Sequence, residues 1–250
     1  MNVPYHSHSA ITQYPPNPLK YPKFYNCKEH VFILYPGDML YIPEGWCHWV
    51  FSFKDKDSEL ECNNENIAIS FHIRKFNGII YNKFYDKKPF VYNLDKTQHS
   101  FFDITFEKIK NQIYDIEIPI YKSKGNIITP TKKNDMVLKY KVSSEKMKIS
   151  KLDDLQKQKK YNMYMSSIPF IFNNFTNTAP NLIRDSFPGS TISHLYWFGF
   201  FDNNTESFDS GLHFDQRHNC LIQIKGTKLV RLYNKKDISN LYIQPMHGIN

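Results

Sequence analysis

Apolar positions in this chain come in short blocks bounded by turn residues, a spacing that suits strands better than helices. Residues 31–35 (Val-Phe-Ile-Leu-Tyr) form one such block, and Pro36-Gly37-Asp38 closes it as a turn. Met39 to Ile42 and Trp46 to Phe53 read as the next two strands, with Pro43-Glu44-Gly45 between them. Residues 54–65 are a polar loop, and Asn66 to Ile73 alternates as a half-buried strand should. Ahead of these, residues 1–30 are rich in Pro, His and Tyr and predict an extended segment without regular structure.

The middle of the chain is less periodic. Residues 76–115 predict a linker plus one helix, with helical spacing at Phe102, Phe106, Ile109 and Ile113 between Phe101 and Tyr114. Strands are expected at 116–121 and 136–142, and a short helix at 148–161 with Ser150 as its N-cap. Further strands are expected at 161–165, 193–200, 212–215, 220–225 and 227–233, the last two joined by a tight turn at Lys225-Gly226. Many short strands with turn signals between them predict a β-sandwich or barrel. A chain of 250 residues with 41% hydrophobic and 16% aromatic content can fill the core of one such domain.

The net charge of +8 permits acidic partners, nucleic acid included, although the lysines scattered between 75 and 160 suit a solvated surface better. The four cysteines form no Cys-x-x-Cys pair, which disfavours a structural zinc site and fits free thiols in a reducing compartment. With no signal-peptide pattern at residues 1–6 and no apolar run near the ~20 residues needed to span a bilayer, the expectation is an intracellular (cytoplasmic or nuclear) protein without a membrane partner.

The candidate chemistry lies in two segments at opposite ends of the chain. Residues i and i+2 of a strand face the same side, so His213 and Asp215 point together while Leu212 and Phe214 point away. A third ligand, His48, would have to arrive from another strand. Two histidines and one carboxylate with open positions make the facial triad of non-haem Fe(II) oxygenases. Taken alone, a His-x-Asp pair and a lone histidine carry little specificity.

Their surroundings add to it. The run Gly211-Leu-His-Phe-Asp-Gln-Arg-His-Asn219-Cys-Leu-Ile-Gln223-Ile-Lys-Gly226-Thr-Lys228 resembles the first metal-binding half of the JmjC and cupin-like 2-oxoglutarate oxygenases, including the asparaginyl hydroxylase acting on hypoxia-inducible factor. The run Pro36-Gly-Asp-Met-Leu-Tyr-Ile-Pro-Glu-Gly-Trp-Cys-His48 resembles the second half, and the stretch around Tyr164 resembles the strand that precedes the first. The resemblance is strong over residues 10–75 and 160–250 and weak between them.

It implies a mainly β fold, a double-stranded β-helix of cupin or jelly-roll type with a few flanking helices. It implies Fe(II) held by His213, Asp215 and His48, and 2-oxoglutarate held by Lys228, with Tyr164, Asn219 and Ser210 as further contacts. A desolvated lysine is what a dianionic cosubstrate requires; a solvated hairpin lysine is the commoner fate of that residue type, and core packing that of a tyrosine. His72 stands where the asparaginyl hydroxylase has an asparagine, a departure that leaves it as a polar lining residue. The implied activity is hydroxylation of a C–H bond, on a protein side chain first and on nucleic acid as the alternative. A catalytically silent cupin-like binding module is the reading from a different class.

In the family the His-x-Asp half precedes the lone histidine; here the order is reversed. Counted through a join of Asn250 to Met1, the spacing from His213 to His48 is about that of the family. Three explanations stand: a circular permutant complete in one chain, a piece of a tandem array, or an exchange of halves between two chains in a domain-swapped dimer. The first is favoured. Residues 1–75 are then the C-terminal half of the barrel, 76–115 a connecting segment, and 116–250 the N-terminal half, together one domain.

Overall fold

The computed structural model describes residues 8–53, 65–74, 88–105, 107–108, 111, 117–123, 143–148, 162–169, 179–201 and 207–243. Its strands are β1 (Glu29–Leu34), β2 (Asp38–Ile42), β3 (Cys47–Phe53), β4 (Glu65–Arg74), β5 (Phe90–Asn93), β6 (Glu117–Ser123), β7 (Ser143–Lys148), β8 (Asn162–Pro169), β9 (Thr191–Phe200), β10 (Ser207–Phe214), β11 (His218–Lys225) and β12 (Thr227–Tyr233). Among the described residues an α-helix, α1 (Asn181–Ser186), and several 3-10 turns accompany them.

The strands form a four-stranded sheet in the order β1-β12-β3-β10 and an eight-stranded sheet in the order β5-β2-β11-β4-β9-β8-β6-β7. Every pairing is antiparallel. The architecture is mainly β and cupin-like, consistent with a jelly roll. Strands from the two ends of the chain interleave: β12 lies between β1 and β3, β11 between β2 and β4, and β3 between β12 and β10. Neither end closes these sheets without the other.

Apolar side chains cover both faces of each sheet, in three layers. Leu34, Val230 and Leu232 of the small sheet meet Leu40, Ile42, Ala68 and Leu221 of the large one in the space between them. The outer face of the large sheet, with Met39, Tyr41, Ile67, Ile69, Phe71 and Cys220, is covered by Phe101, Ile104, Ile183 and Phe187. The outer face of the small sheet, with Cys47, Trp49, Leu212 and Phe214, is covered by Ile11, Tyr21, Phe24 and Leu241. Burial on both faces explains why most strands read as apolar blocks rather than alternating ones.

Several expectations shift. The segment 1–30 is not wholly irregular: Pro22–Asn26 form a 3-10 turn, and His8 and Ser9 make isolated bridges to His213 and Ile243. Within 76–115, Phe90–Asn93 add β5 to the edge of β2, where Val91 and Tyr92 suit a pleated strand. The helix expected from Phe101 begins instead as a 3-10 turn, Ser100–Asp103, because Phe101 turns into the core and breaks the helical spacing; Glu107, Lys108 and Asn111 are helical. The strand expected at 136–142 lies outside the described residues, as does the helix expected at 148–161 apart from Lys148, which instead ends β7.

The β11–β12 hairpin is held by a buried amide cluster. Asn66 donates to the carbonyls of Phe53 (3.1 Å) and Thr227 (2.9 Å), and Gln223 donates to Asn66 Oδ1 (3.1 Å) and to the Gly226 carbonyl (3.0 Å). Gly226 has φ +72°, and a Cβ there would lie 2.8 Å from Asn66 Nδ2 and 3.2 Å from the Phe53 carbonyl oxygen. Gly226→Ala is therefore expected to cost about 1–3 kcal/mol, the range for a strained backbone position. Urea denaturation checks it: a midpoint equal to wild type would show that the hairpin relaxes around the methyl group.

Candidate metal centre

The site forms where β3 runs beside β10. His48 and His213 are cross-strand partners in register, with ring centroids 4.1 Å apart. Asp215 follows the end of β10, and its Oδ2 lies 3.7 Å from His48 Nε2. One ligand atom from each of His48, His213 and Asp215 lies within 4.8 Å of the others, the spacing of a mononuclear metal site, and it is the one such group among the described residues.

Hydrogen bonds orient both imidazoles. Nδ1 of His48 donates to the Trp46 carbonyl at 3.2 Å, and Nδ1 of His213 donates to the Gly211 carbonyl at 3.0 Å. A carbonyl oxygen can only accept, so each Nδ1 carries the proton and each Nε2 presents a lone pair. Such carbonyl-held histidines are the usual support for a bound metal. Burial holds both imidazoles below their ordinary pKa, with His48 further lowering His213. Both are therefore neutral at neutral pH, as ligation requires. Burial would raise the Asp215 carboxyl, but His48, His213, His72 and the Asn219 amide outweigh it and hold the group below its usual value.

Asn219 on β11 donates to Asp215 Oδ2 at 3.3 Å, while its own Oδ1 is buried and unpartnered. His72 on β4 is the register partner of Asn219, and its Nε2 is likewise buried and unpartnered. Burial lowers its pKa, against the pull of Asp215. The two orphaned polar atoms beside the triad suit a polar ligand.

Lys228 on β12 is 2% exposed, and its Nζ donates to Ser52 Oγ at 2.7 Å. No carboxylate pairs with it among the described ion pairs, and burial pulls its pKa down to about 7. Alternation places Lys228, Val230 and Leu232 on one face of β12, opposite Ser52, Val50 and His48 of β3. Ser52 thus stands four residues, about 13 Å along the strand, from His48. A buried amine with no carboxylate partner among the described residues shares the inner wall with the triad.

Ser210 lies in a bulge of β10, where its Oγ accepts from Val50 N at 3.3 Å and donates to the Gly211 carbonyl at 3.2 Å. The hydroxyl serves the bulge. Tyr164 lies on β8, its backbone paired with Tyr121 and Gly199.

Sequence reasoning passed over several neighbours. His8, outside the triad pattern, stacks on His213 with centroids 5.2 Å apart and planes 14° from parallel. Ser9 N donates to the Leu212 carbonyl at 2.8 Å, which lays this segment against β10. His218 is buried, its Nδ1 2.8 Å from the Tyr41 hydroxyl, and Gly45 N donates to the Asp215 carbonyl at 3.0 Å. The first bond joins β2 to the start of β11, and the second ties the turn before β3 to the segment after β10. Asp209, also passed over, is buried at 6% exposure beneath the bulge. No motif spacing marked it; only its break in the alternation of β10 could have.

An unpaired buried ammonium destabilises the fold while it stays charged. The folded pKa of Lys228 is below its ordinary 10.5, so the cost is full below about pH 7 and fades as pH rises toward 10.5. Lys228→Met should raise the thermal midpoint of the ligand-free protein by several degrees at pH 6, and by less at pH 9. A midpoint unchanged at both pH values would mean that the lysine has an anionic partner.

Residues 4–89 match the cupin-like domain family, a stretch that contains β1 to β4 and His48. A protein of Acanthamoeba polyphaga mimivirus named as a JmjC domain-containing protein, L887, is 24% identical over 239 residues. That match covers 90% of this chain and 37% of the relative, so the chain spans well under half of the relative's length. No solved structure matches the chain. No helix among the described residues is long and apolar enough to cross a membrane.

Proposed function

We propose that this chain is an Fe(II)- and 2-oxoglutarate-dependent oxygenase that hydroxylates a C–H bond, with a protein side chain as the substrate class. The observation that carries the reading is the buried, anion-free Lys228 on the same inner wall as two carbonyl-oriented histidines and a carboxylate. The residues fit the implied groups. His48 and His213, through Nε2, and Asp215, through a carboxylate oxygen, would hold the iron. Lys228 would pair with the distal carboxylate of 2-oxoglutarate, and Asn219 and His72 supply the orphaned polar atoms near its other end. Tyr164 and Ser210 keep their places in the set by resemblance alone.

Bound iron and 2-oxoglutarate would supply O₂ activation and C–H hydroxylation, with succinate and CO₂ as co-products. The chain's own residues do the rest. Burial keeps both imidazoles neutral, and the paired carbonyls aim them inward with Nε2 free. Leu34, Leu40, Val230 and Leu232 keep water from the interior, which strengthens the Lys228–carboxylate pair. The Asn219 amide donates to Asp215 Oδ2, the oxygen that also lies toward His48 Nε2.

The reversed order of the halves is read as a circular permutation. Strands of both halves interleave within one chain. This supports one barrel-like domain built from residues 1–75 and 116–250 with a connecting segment between, in preference to a tandem fragment or a swapped dimer. Sedimentation of a monomer carrying one iron would agree; a dimer that loses iron on dissociation would favour the swap.

Purified protein with Fe(II), ascorbate and 2-oxoglutarate is expected to form succinate slowly without added substrate. His213→Ala should abolish both metal binding and succinate. Lys228→Ala should retain the metal and weaken 2-oxoglutarate binding, as loss of one buried charge-assisted pair does. No succinate together with no thermal shift from metal plus 2-oxoglutarate would favour a silent cupin-like binding module instead.

Binding a dianion raises the pKa of Lys228 above about 7. Affinity for 2-oxoglutarate should therefore be full below pH 7 and fall as pH rises above it, measured by calorimetry on the metal-loaded protein. A flat profile from pH 6 to 9 would take Lys228 out of the site.

A further inference from the structure

The alternation of β10 changes hands in its middle. Asp209 pairs with Phe51 of β3, but the next pair is Leu212 with Trp49, so Ser210 and Gly211 together face Val50. Two residues against one is a β-bulge, and Gly211 has the positive φ (+70°) that such bulges use. At the bulge Val50 N–H donates to Ser210 Oγ.

The consequence falls on the candidate ligands. Before the bulge, Phe208 pairs with Ser52 and lies against Gly199 of the large sheet, so even positions face inward and Asp209 faces the outer side. After it, Leu212 and Phe214 join the outer cluster, and His213 lies against His48. In an unbroken strand 209, 211, 213 and 215 would share one face. The single extra residue moves His213 and Asp215 from the outer apolar layer to the interior, since a one-residue shift flips every later side chain.

Asp209 holds this bulge. One oxygen, Oδ1, accepts from the indole Nε1 of Trp49 at 2.5 Å and from the backbone N of Gly211 at 2.8 Å. Trp49 is the residue after His48, and Gly211 is the residue whose carbonyl orients His213. The same oxygen thus bridges the strand of one candidate histidine to the carbonyl-bearing peptide that orients the other. The carboxyl is buried, which pushes its pKa up to about 6, while the two N–H bonds pull it back toward the ionised form.

We infer that Asp209 is a positioning residue of this site: by clamping the β10 bulge to Trp49 it turns His213 and Asp215 inward and fixes His213 against His48. The inference rests on the metal-binding reading above. Asp209 touches neither the metal position nor the substrate space; it acts through Gly211 and Trp49.

Co(II) titration of the full chain, read by calorimetry and by the visible ligand-field spectrum, tests it. Asp209→Ala should weaken Co(II) binding by about 10–100-fold, the range for loss of a partner that supports metal ligands, and should alter the ligand-field spectrum. Asp209→Asn keeps an oxygen acceptor for both N–H groups and should restore the spectrum, with affinity close to wild type. Trp49→Phe removes one arm and should fall between them.

A wild-type affinity and spectrum in Asp209→Ala overturn the inference, as does an equal loss in Asp209→Asn and Asp209→Ala. Should near-ultraviolet circular dichroism show Asp209→Ala unfolded, Trp49→Phe decides: weakened binding in a folded protein supports the clamp, and unchanged binding overturns it. No Co(II) binding by the wild type would instead sink the metal reading itself, and the inference with it.

Discussion

The candidate site depends on one irregularity, the bulge at Ser210-Gly211. A regular β10 would send His213 and Asp215 into the layer occupied by Trp49, Leu212 and Phe214, where a carboxylate and an imidazole would be buried among apolar groups. The extra residue gives the polar pair the interior face and leaves the apolar pair outside. A buried carboxylate beneath the bulge is costly on its own, and the two N–H donors that meet Asp209 offset that cost. The bulge thereby serves as a fixed backbone feature rather than a flaw in pairing.

A second constraint is the wall between the sheets. Val230 and Leu232 alternate with Lys228 along β12, and Val50 stands between Ser52 and His48 on β3. The apolar residues line the space around Lys228, and burial among them is what lowers its pKa toward about 7. Ser52 alone cannot satisfy an ammonium, which has three protons to donate. The orphaned Oδ1 of Asn219 and Nε2 of His72 repeat the pattern beside the triad. The cation, the two polar atoms and the triad make an interior organised around something charged and polar.

Much of this was legible in the chain as written. The strand blocks at 31–35, 39–42, 46–53, 66–73, 193–200, 220–225 and 227–233 all became strands within a residue or two at most ends, because turn residues bound them. The pairing of His213 with Asp215 followed from strand periodicity, and their joining by His48 from the resemblance. β10 was read short, from 212, because Asp209-Ser210-Gly211 interrupts its alternation; the interruption is the bulge after which His213 faces His48. β5 and the 3-10 turn at Ser100–Asp103 were missed because residues 90–103 mix aromatic and polar positions without a clean period, and their placement depends on the edge of β2 and on the core that receives Phe101.

What the sequence by itself determined is therefore local: the donor types, the two-residue step between His213 and Asp215, the hairpin glycine at 226, and the lysine two residues after it. Those follow from side-chain chemistry and short-range geometry. Only the tertiary structure decided which face His213 and Asp215 occupy, that β3 lies between β10 and β12, and that Lys228 loses its water. The reason is physical. A strand's face and a charge's hydration are set by its neighbours, and here the neighbours come from the opposite end of the chain.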